Sequence, residues 1–481
     1  MVGIMTRENV INGQNGTDSF CNVEAVSPLG IGEEDEHTTE KTITFEDGIL
    51  YGDKGDAKGI NHDTTARWVT QEYDIAHLIE TNNTLIYQEG VYKDFAEAHL
   101  MKLLYDAAEH IKRSNGSSLI RNSDIAEVVS RIRHWSLKSI SEFECERRRV
   151  YNVANGVINL DTYELMPHSP EYRILSKSPA VYDPDADCPK FREFMDQSLD
   201  KRYHDFIGEF IGYVFWPQYH IHKASMFLGP QRAGKGTMMR VIEALVGKDS
   251  CAHVSLQDLL EHRFMRARLF GKKLNSYGDL PATALRDAGI FKNVTGEDTI
   301  DAENKYEHPF SFNNTAKLLF SANSLPKLVN PDQAFYGRWV IVPFENSCYG
   351  NEDSKLTEKL TTPEELSGVL NLGLEGLKRL KMNGWKFTYA DDAASIYRKQ
   401  SNPLFGFLED RCEASSESYI VKADFVAAYN EYANENGFPP APSKKAIGSQ
   451  MEDQTIIPVD TYYPAVNGRQ AEAWRGIKLR E

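Results

Sequence analysis

Gly229-Pro230-Gln231-Arg232-Ala233-Gly234-Lys235-Gly236-Thr237 is the stretch on which the reading of this chain turns. It follows a short apolar run, Ala224-Ser-Met-Phe-Leu228, and opens an amphipathic stretch from Met238 to Val246. Strand, glycine-rich loop and helix in that order make the context in which such a loop cradles phosphate. Glycines let backbone N–H groups turn inward around phosphate oxygens, and the helix presents its positive end to the same oxygens. Lys235 adds a point charge for the β- and γ-phosphates of a nucleotide such as ATP. The usual hydroxyl directly after the lysine is replaced by Gly236, so the Mg²⁺-binding hydroxyl is assigned one place later, to Thr237.

Three further strand ends follow. Gly271 to Pro281 reads as a strand ending at Asp279, an acid that can hold Mg²⁺ or polarise an attacking water, although Gly-Asp is also a common turn pair. Lys317-Leu-Leu-Phe-Ser-Ala-Asn323 ends in an amide that can orient that water. Tyr336-Gly-Arg338-Trp-Val-Ile-Val-Pro-Phe344 is a strand introduced by an arginine, suited either to transition-state charge on a neighbouring subunit's nucleotide or to capping the strand at the surface. Between Asp279 and Asn323, two alternating runs over 295–310 suggest a hairpin with Asn304-Lys305 near its tip. There Lys305 and Tyr306 can grip a nucleic-acid phosphate and stack on a base, or simply form a solvated turn.

Charge is unevenly distributed. The chain has 481 residues, 41% of them hydrophobic, and a formal net charge of −16. Residues 1–70 carry −8 and 71–200 carry −7, whereas 201–350 carry 18 Lys/Arg against 15 Asp/Glu, a net of +3. This excludes a basic nucleic-acid-coating protein but not a motor with a few placed contacts. No run of about 18 apolar residues suggests a membrane span. Met1 to Asn9 is polar where a signal peptide needs an apolar stretch. Six cysteines stand far apart without a C-x-x-C pair, so zinc knuckles and a disulfide scaffold are not expected, and a reduced, cytoplasmic compartment is.

The expected organisation is an acidic tail over 1–65, an α+β domain over 66–190, an α/β phosphate-loop motor over 191–395 and a C-terminal domain over 396–481. In the second segment, Thr84 to Tyr92 reads as two strands about Glu89-Gly90, and Phe95–Ile111 and Ile125–Leu137 have helical spacing. Asn155-Gly156 marks a turn before Val157-Ile-Asn-Leu160, and Ser178 to Pro189 reads as a linker. Helices are expected at 363–382, then at 404–412, 422–436 and 443–451, followed by two strand-like runs about Asn467-Gly468. Helices followed by a β-hairpin suggest a winged helix.

As an ordered set, these motifs resemble the superfamily 3 helicases, an AAA+ branch used by viruses, phages and plasmids. The resemblance rests on loop 229–237, the strand to Asp279, Gly296-Glu-Asp298 with Lys305-Tyr306, Leu318 to Asn323 followed by Leu325-Pro326, and Arg338 before Val-Pro-Phe344. Upstream, Asn155-Gly-Val-Ile-Asn-Leu-Asp161, Pro167-His-Ser-Pro170 and Tyr182-Asp-Pro184 resemble the segment preceding the motor in phage and plasmid primase–helicases related to the poxvirus primase-helicase. The resemblance implies an AAA+ core with a parallel sheet and flanking helices. It also implies an ATP- and Mg²⁺-dependent homo-hexameric ring that draws single-stranded DNA through its channel, 3′→5′, at a fork. Lys235 and Thr237 would bind nucleotide and Mg²⁺, Asp279 would be the Walker B acid, Asn323 the first sensor, Arg338 the finger and Lys305 the pore contact. Lys444 and Lys445 on the third C-terminal helix would meet duplex or origin DNA.

Here Asp279 stands alone where relatives often pair acids, and tail-like residues stand where many relatives carry a primase domain; if priming is needed, another protein is expected to supply it. Gly-Lys-Gly-Thr also occurs in nucleoside monophosphate kinases, so a nucleotide kinase remains a rival, as does a switch or packaging ATPase that does not unwind.

Overall fold

Five parallel strands form the sheet to which the phosphate-loop strand belongs: β1 (Ala224–Leu228), β2 (Cys251–Ala252), β3 (Leu274–Tyr277), β4 (Lys317–Ala322) and β5 (Trp339–Pro343). Their spatial order is β2-β3-β4-β1-β5. Every pairing is parallel, with Leu228 beside Ala322 on one side and Pro343 on the other. β1 and β4 are buried at every position. That is why they read as continuous apolar runs rather than alternating ones, since helices cover both faces of a parallel sheet. β4 lies between β1 and β3, so the chain segment after β4 emerges between the phosphate loop and Asp279.

The protein is described here from a computed structural model, which covers residues 48–51, 57–94, 98, 101–102, 104–105, 116–143, 149–280, 289–304, 309–325, 333–346, 353–389, 403–435, 438, 440–441, 443–453, 456–466 and 469–480. The described residues divide into two compact units, one built from residues up to 87 and from 93–138, the other from 88–92 and from 139 onward. The first packs the helices His62–Tyr73 and Asn122–Trp135 around Val69, Ile125, Val128 and Ile132. The expected turn is present: Thr84–Gln88 and Val91–Asp94 flank Glu89 and Gly90, at φ 52° and 86°. Two successive positive φ values match the twist of a tight hairpin.

In the second unit a small antiparallel sheet, Val150–Val153, Gly156–Asn159 and Leu165–Met166, precedes the parallel sheet in the chain. Among the described residues, α1 (Pro189–Ser198), α2 (His204–Phe215) and α4 (Pro363–Met382) pack together with α3 (Lys235–Val246), which lies on the parallel sheet. The buried Glu365 at the start of α4 caps α1, its carboxylate accepting from the backbone N–H of Lys190 (3.3 Å) and Phe191 (3.1 Å). These are donors that a helix N-terminus otherwise leaves unpaired.

α2 and α4 cross at glycines. A Cβ on Gly212 would collide with the carbonyl oxygen of Gly373, and one on Gly376 with that of Gly208. Because the obstacle is backbone on both sides, it cannot rotate away. Gly212→Ala is therefore expected to destabilise the protein by at least the ~1–3 kcal/mol typical of overpacking. Thermal or urea unfolding reads this directly, and an unchanged midpoint would show that the two helices can separate freely.

A buried cation ties the sheet to α2. Lys317, first residue of β4 and 1% exposed, donates through Nζ to the carbonyls of Trp216 (3.1 Å), Gln218 (2.9 Å) and Thr315 (3.0 Å). The rings of Tyr213 and Tyr219 face it at 4.5 and 4.6 Å. Burial pulls its pKa well below the ordinary lysine value, and the carbonyls and ring faces offset part of that cost by solvating the ammonium.

The expected hairpin forms from Thr299–Ala302 and Phe310–Asn313, paired antiparallel with Thr299 opposite Asn313. Lys305 and Tyr306 lie outside the described residues. C-terminally, helix Pro403–Arg411 is followed by strand Cys412–Val421, helices Lys422–Glu435 and Lys444–Asp453, and strands Asp460–Tyr462 and Ala473–Leu479. The last strand runs between the other two, over a core of Phe407, Phe425 and Trp474. Cys412–Val421 was not anticipated, because its serines and glutamates lack an apolar face; it is an edge strand held by pairing to Ala473–Leu479. Among the described residues no helix is long and apolar enough to cross a membrane.

Candidate functional site

The loop after β1 turns through three positive φ angles, at Gly229 (155°), Arg232 (63°) and Gly234 (91°). Gly229 is required by close approach, since a Cβ there would collide with the carbonyl oxygen of Phe344 after β5. Gly234 caps α3, so Lys235, Gly236 and Thr237 form the helix's first turn, where N–H groups and the helix dipole favour an anion. Lys235 is buried, and its Nζ donates to the carbonyls of Gly229 (2.7 Å) and Pro230 (2.6 Å) and to Asn323 Oδ1 (3.1 Å). Burial lowers its pKa from the ordinary lysine value, and the negative charge of Asp279 opposes that shift.

Asp279 follows β3 at φ 57°, a left-handed conformation that aspartate tolerates better than most residues. Its backbone N–H donates to Ser321 Oγ at 3.2 Å. Ser321 and Asn323 are two residues apart at the end of β4, so side-chain alternation turns both to one face, the first to hold Asp279 and the second to meet Lys235. Thr237 Oγ1 accepts from Arg240 Nη2 at 3.1 Å.

These groups line one open cavity of about 830 Å³ at the carboxyl ends of β1, β3 and β4. The loop residues Gln231 to Thr237, together with Asp279, Ser321 and Asn323, form its floor. Glu193, Phe194 and Gln197 of α1 and Leu356 and Lys359 beyond β5 form its walls. Five cationic side chains (Lys190, Arg232, Lys235, Arg240, Lys359) face three carboxylates (Glu193, Asp279, Asp353), so the cavity favours a polyanion. Carboxyl ends of parallel strands are where open α/β sheets place ligands.

Lys235, Thr237, Asp279 and Asn323 therefore converge, and Arg338 does not join them. Its carbonyl accepts from the N–H of Ala224 at 2.7 Å, which puts it at the opposite end of β1, about 13 Å along the strand from Leu228. Its Nη1 donates to Thr295 Oγ1 at 3.0 Å, and burial lowers its pKa from the ordinary arginine value. Lys444 opens the helix Lys444–Asp453 and Lys445 is exposed on it.

The sequence reading missed Ser321, Arg240 and the α1 wall. Ser321 was open to period-2 spacing from Asn323, and Arg240 to its position three residues past Thr237 on α3, whereas nothing local points α1 at this cavity. The described free cysteines, Cys188, Cys251 and Cys412, are buried and pushed up to about 12, which leaves none of them a ready nucleophile.

Residues 44–199 match a family described as D5 N terminal like, and residues 227–338 match a family of unknown function (DUF5906). The chain is similar to "Putative helicase 184R" of Invertebrate iridescent virus 6, at 24% identity over 163 residues, covering 27% of this chain and 17% of that protein. Among solved structures it is similar to an A-form apo structure of the NrS-1 C-terminal region (12% identity, TM-score 0.42, covering 85% of this chain and 97% of that one). A second apo structure of the same region matches at 11% identity and TM-score 0.43, with the same coverages. The D5 N-terminal-like match and the likeness to the iridescent virus sequence support a phage or viral primase-helicase family for this chain.

Proposed function

We propose that this protein is an ATP-dependent DNA helicase that serves replication of a virus, phage or plasmid genome. One observation carries the reading: a lysine, a hydroxyl, a carboxylate and an amide from three separate chain segments (Lys235 and Thr237, Asp279, and Asn323) meet in a cationic cavity at the carboxyl ends of a parallel sheet. Lys235 and the first-turn N–H groups of α3 are suited to the triphosphate, and Asn323 to aligning the attacking water. Asp279 is suited to accepting a hydrogen bond from that water.

The donor set also fits Mg²⁺. Thr237 and Asp279 offer one hydroxyl and one carboxylate oxygen, and Mg²⁺ takes few protein ligands beside phosphates and waters. When bound, the ion would neutralise charge on the β- and γ-phosphates.

The sheet order, with β4 between β1 and β3, supports the AAA+ arrangement that the sequence resemblance implies. The C-terminal element order supports a winged helix that could carry Lys444 and Lys445 to duplex DNA. Lys305 and Tyr306, between strands Thr299–Ala302 and Phe310–Asn313, are the proposed contacts to single-stranded DNA in a hexameric ring translocating 3′→5′. The small net charge of the motor segment suits a grip that releases at every step.

Strand displacement on a forked DNA, with ATP and with Lys235→Ala as control, tests this. Displacement by the unmodified protein and none by the variant is expected. ATP hydrolysis without displacement at any salt concentration would favour a switch or packaging ATPase. Phosphorylation of nucleoside monophosphates without DNA stimulation would favour a kinase.

A further inference from the structure

Arg240 lies on α3, and its guanidinium turns back over the first turn of that helix. Nη2 donates to Thr237 Oγ1 at 3.1 Å, and Nε donates to Thr357 Oγ1 at 3.2 Å. Thr357 belongs to the short helix Leu356–Leu360, which forms part of the cavity wall. One planar fork thus ties the phosphate-loop helix to the wall. A third observation concerns Gly236, the residue that departs from the usual hydroxyl after the lysine. A Cβ there would stand 3.2 Å from Arg240 Nη1. A serine or threonine at 236 would press into the guanidinium, so Gly236 and Arg240 fit each other.

We propose that Arg240 is a positioning residue of this site: a displaceable cation that holds the Thr237 hydroxyl and helix Leu356–Leu360 together, and that is released when a Mg²⁺-bound nucleoside triphosphate takes that hydroxyl. The physical reason is competition for one oxygen. Thr237 Oγ1 has two lone pairs, but a divalent cation on one of them repels a guanidinium held at 3.1 Å on the other, so ligation weakens that hydrogen bond. Losing that bond frees the fork whose other hold is Thr357, so filling the phosphate site loosens a wall of the same cavity. The proposal rests on the nucleotide reading of the site and adds to it a link between Mg²⁺ occupancy and the wall.

Titration of a fluorescent adenosine triphosphate into the full chain, in EDTA and across a Mg²⁺ series, tests the competition. With Arg240→Met the Mg²⁺ concentration giving half-maximal binding is expected to fall by about three- to tenfold, the scale of one charge-assisted hydrogen bond, while the affinity in EDTA, which loses one of the cavity's cations, is expected to weaken by no more than about threefold. Equal weakening in EDTA and in Mg²⁺ would make Arg240 a direct phosphate contact and overturn the proposal. An unchanged Mg²⁺ requirement would overturn it as well, leaving a surface arginine.

Hydrogen exchange over residues 356–360 gives a second readout that does not depend on Arg240→Met folding. Mg²⁺–nucleotide is expected to raise exchange there in the unmodified protein. In Thr357→Val exchange should already be high and insensitive to nucleotide. No nucleotide effect in the unmodified protein would sink the proposed release. Lys235→Ala separates the two levels of argument: if it still binds nucleotide with unchanged affinity, the reading of the site has failed, whatever Arg240 does.

Discussion

Asp279→Asn is expected to lower ATP turnover by about 10²- to 10⁴-fold while leaving the fold and nucleotide binding largely intact. The substitution isolates charge from shape. Asp279 holds a left-handed backbone at φ 57°, and asparagine tolerates that conformation equally well. The backbone N–H that donates to Ser321 Oγ is unaffected by the change. What disappears is the carboxylate whose charge acts on Lys235 and which shares the cavity with Thr237. Nucleotide affinity should hold, because Lys235 and the N–H groups of α3 carry most of the attraction for the phosphates. The hydrolytic step should not, because among the described residues no second carboxylate stands beside Asp279 at the end of β3. Phosphate release in single-turnover and steady-state assays measures the loss, and equilibrium binding of a fluorescent nucleotide checks the retention. Turnover within about threefold of the unmodified protein would reduce Asp279 to a turn residue, the bland reading that Gly-Asp always permits.

Two residues of this site were readable because each follows a strand at the carboxyl edge where ligands bind. Asn323 comes directly after the largely apolar β4, and Asp279 comes two residues after β3, in a Gly-Asp pair. The glycines and Lys235 stand out for the backbone demands of the loop. Sheet order was not readable in the same way. β4 precedes β5 in the chain yet pairs with β1 on the side away from it, and nothing in either strand's residues encodes the neighbour. β2 is two residues long and carries no periodicity at all.

Packing specificity was hidden for a related reason. Gly208, Gly212, Gly373 and Gly376 look like helix-weakening residues one at a time, and their purpose exists only when α2 and α4 meet. Lys317 looks like an ordinary charged residue at the head of a strand, and only the fold brings it three carbonyls and two tyrosine rings. Arg240 belongs to the same class. Its sequence neighbourhood suggests a solvated helix face, while its partner Thr357 is 117 residues away.

Arg338→Gln is expected to reduce ATP turnover by about 10³-fold or more if Arg338 completes a neighbouring subunit's site, the scale associated with an arginine finger. Geometry already removes one possibility. Arg338 directly precedes β5, at the end of the sheet opposite the loop 229–234, about 13 Å along β1 from Leu228, beyond the reach of an arginine side chain to its own subunit's nucleotide. Only a heterologous, head-to-tail contact could bring it to a second copy's Lys235. Glutamine keeps a donor for Thr295 Oγ1 and removes the charge, so a fall in activity without a fall in thermal midpoint separates catalysis from anchoring.

Mixing then gives a quantitative test. A chain with Arg338→Gln retains a competent Lys235, and a chain with Lys235→Ala retains Arg338. In an equal mixture that assembles at random, about one contact in four pairs an intact lysine site with an intact arginine. Recovery approaching a quarter of the unmodified turnover is therefore expected from two nearly inactive proteins, and it should decline as either variant is added in excess. This arithmetic does not depend on the number of subunits in a ring. Absence of recovery after confirmed co-assembly would assign Arg338 to Thr295 and the packing of its own subunit, and the catalytic arginine would then have to be sought elsewhere.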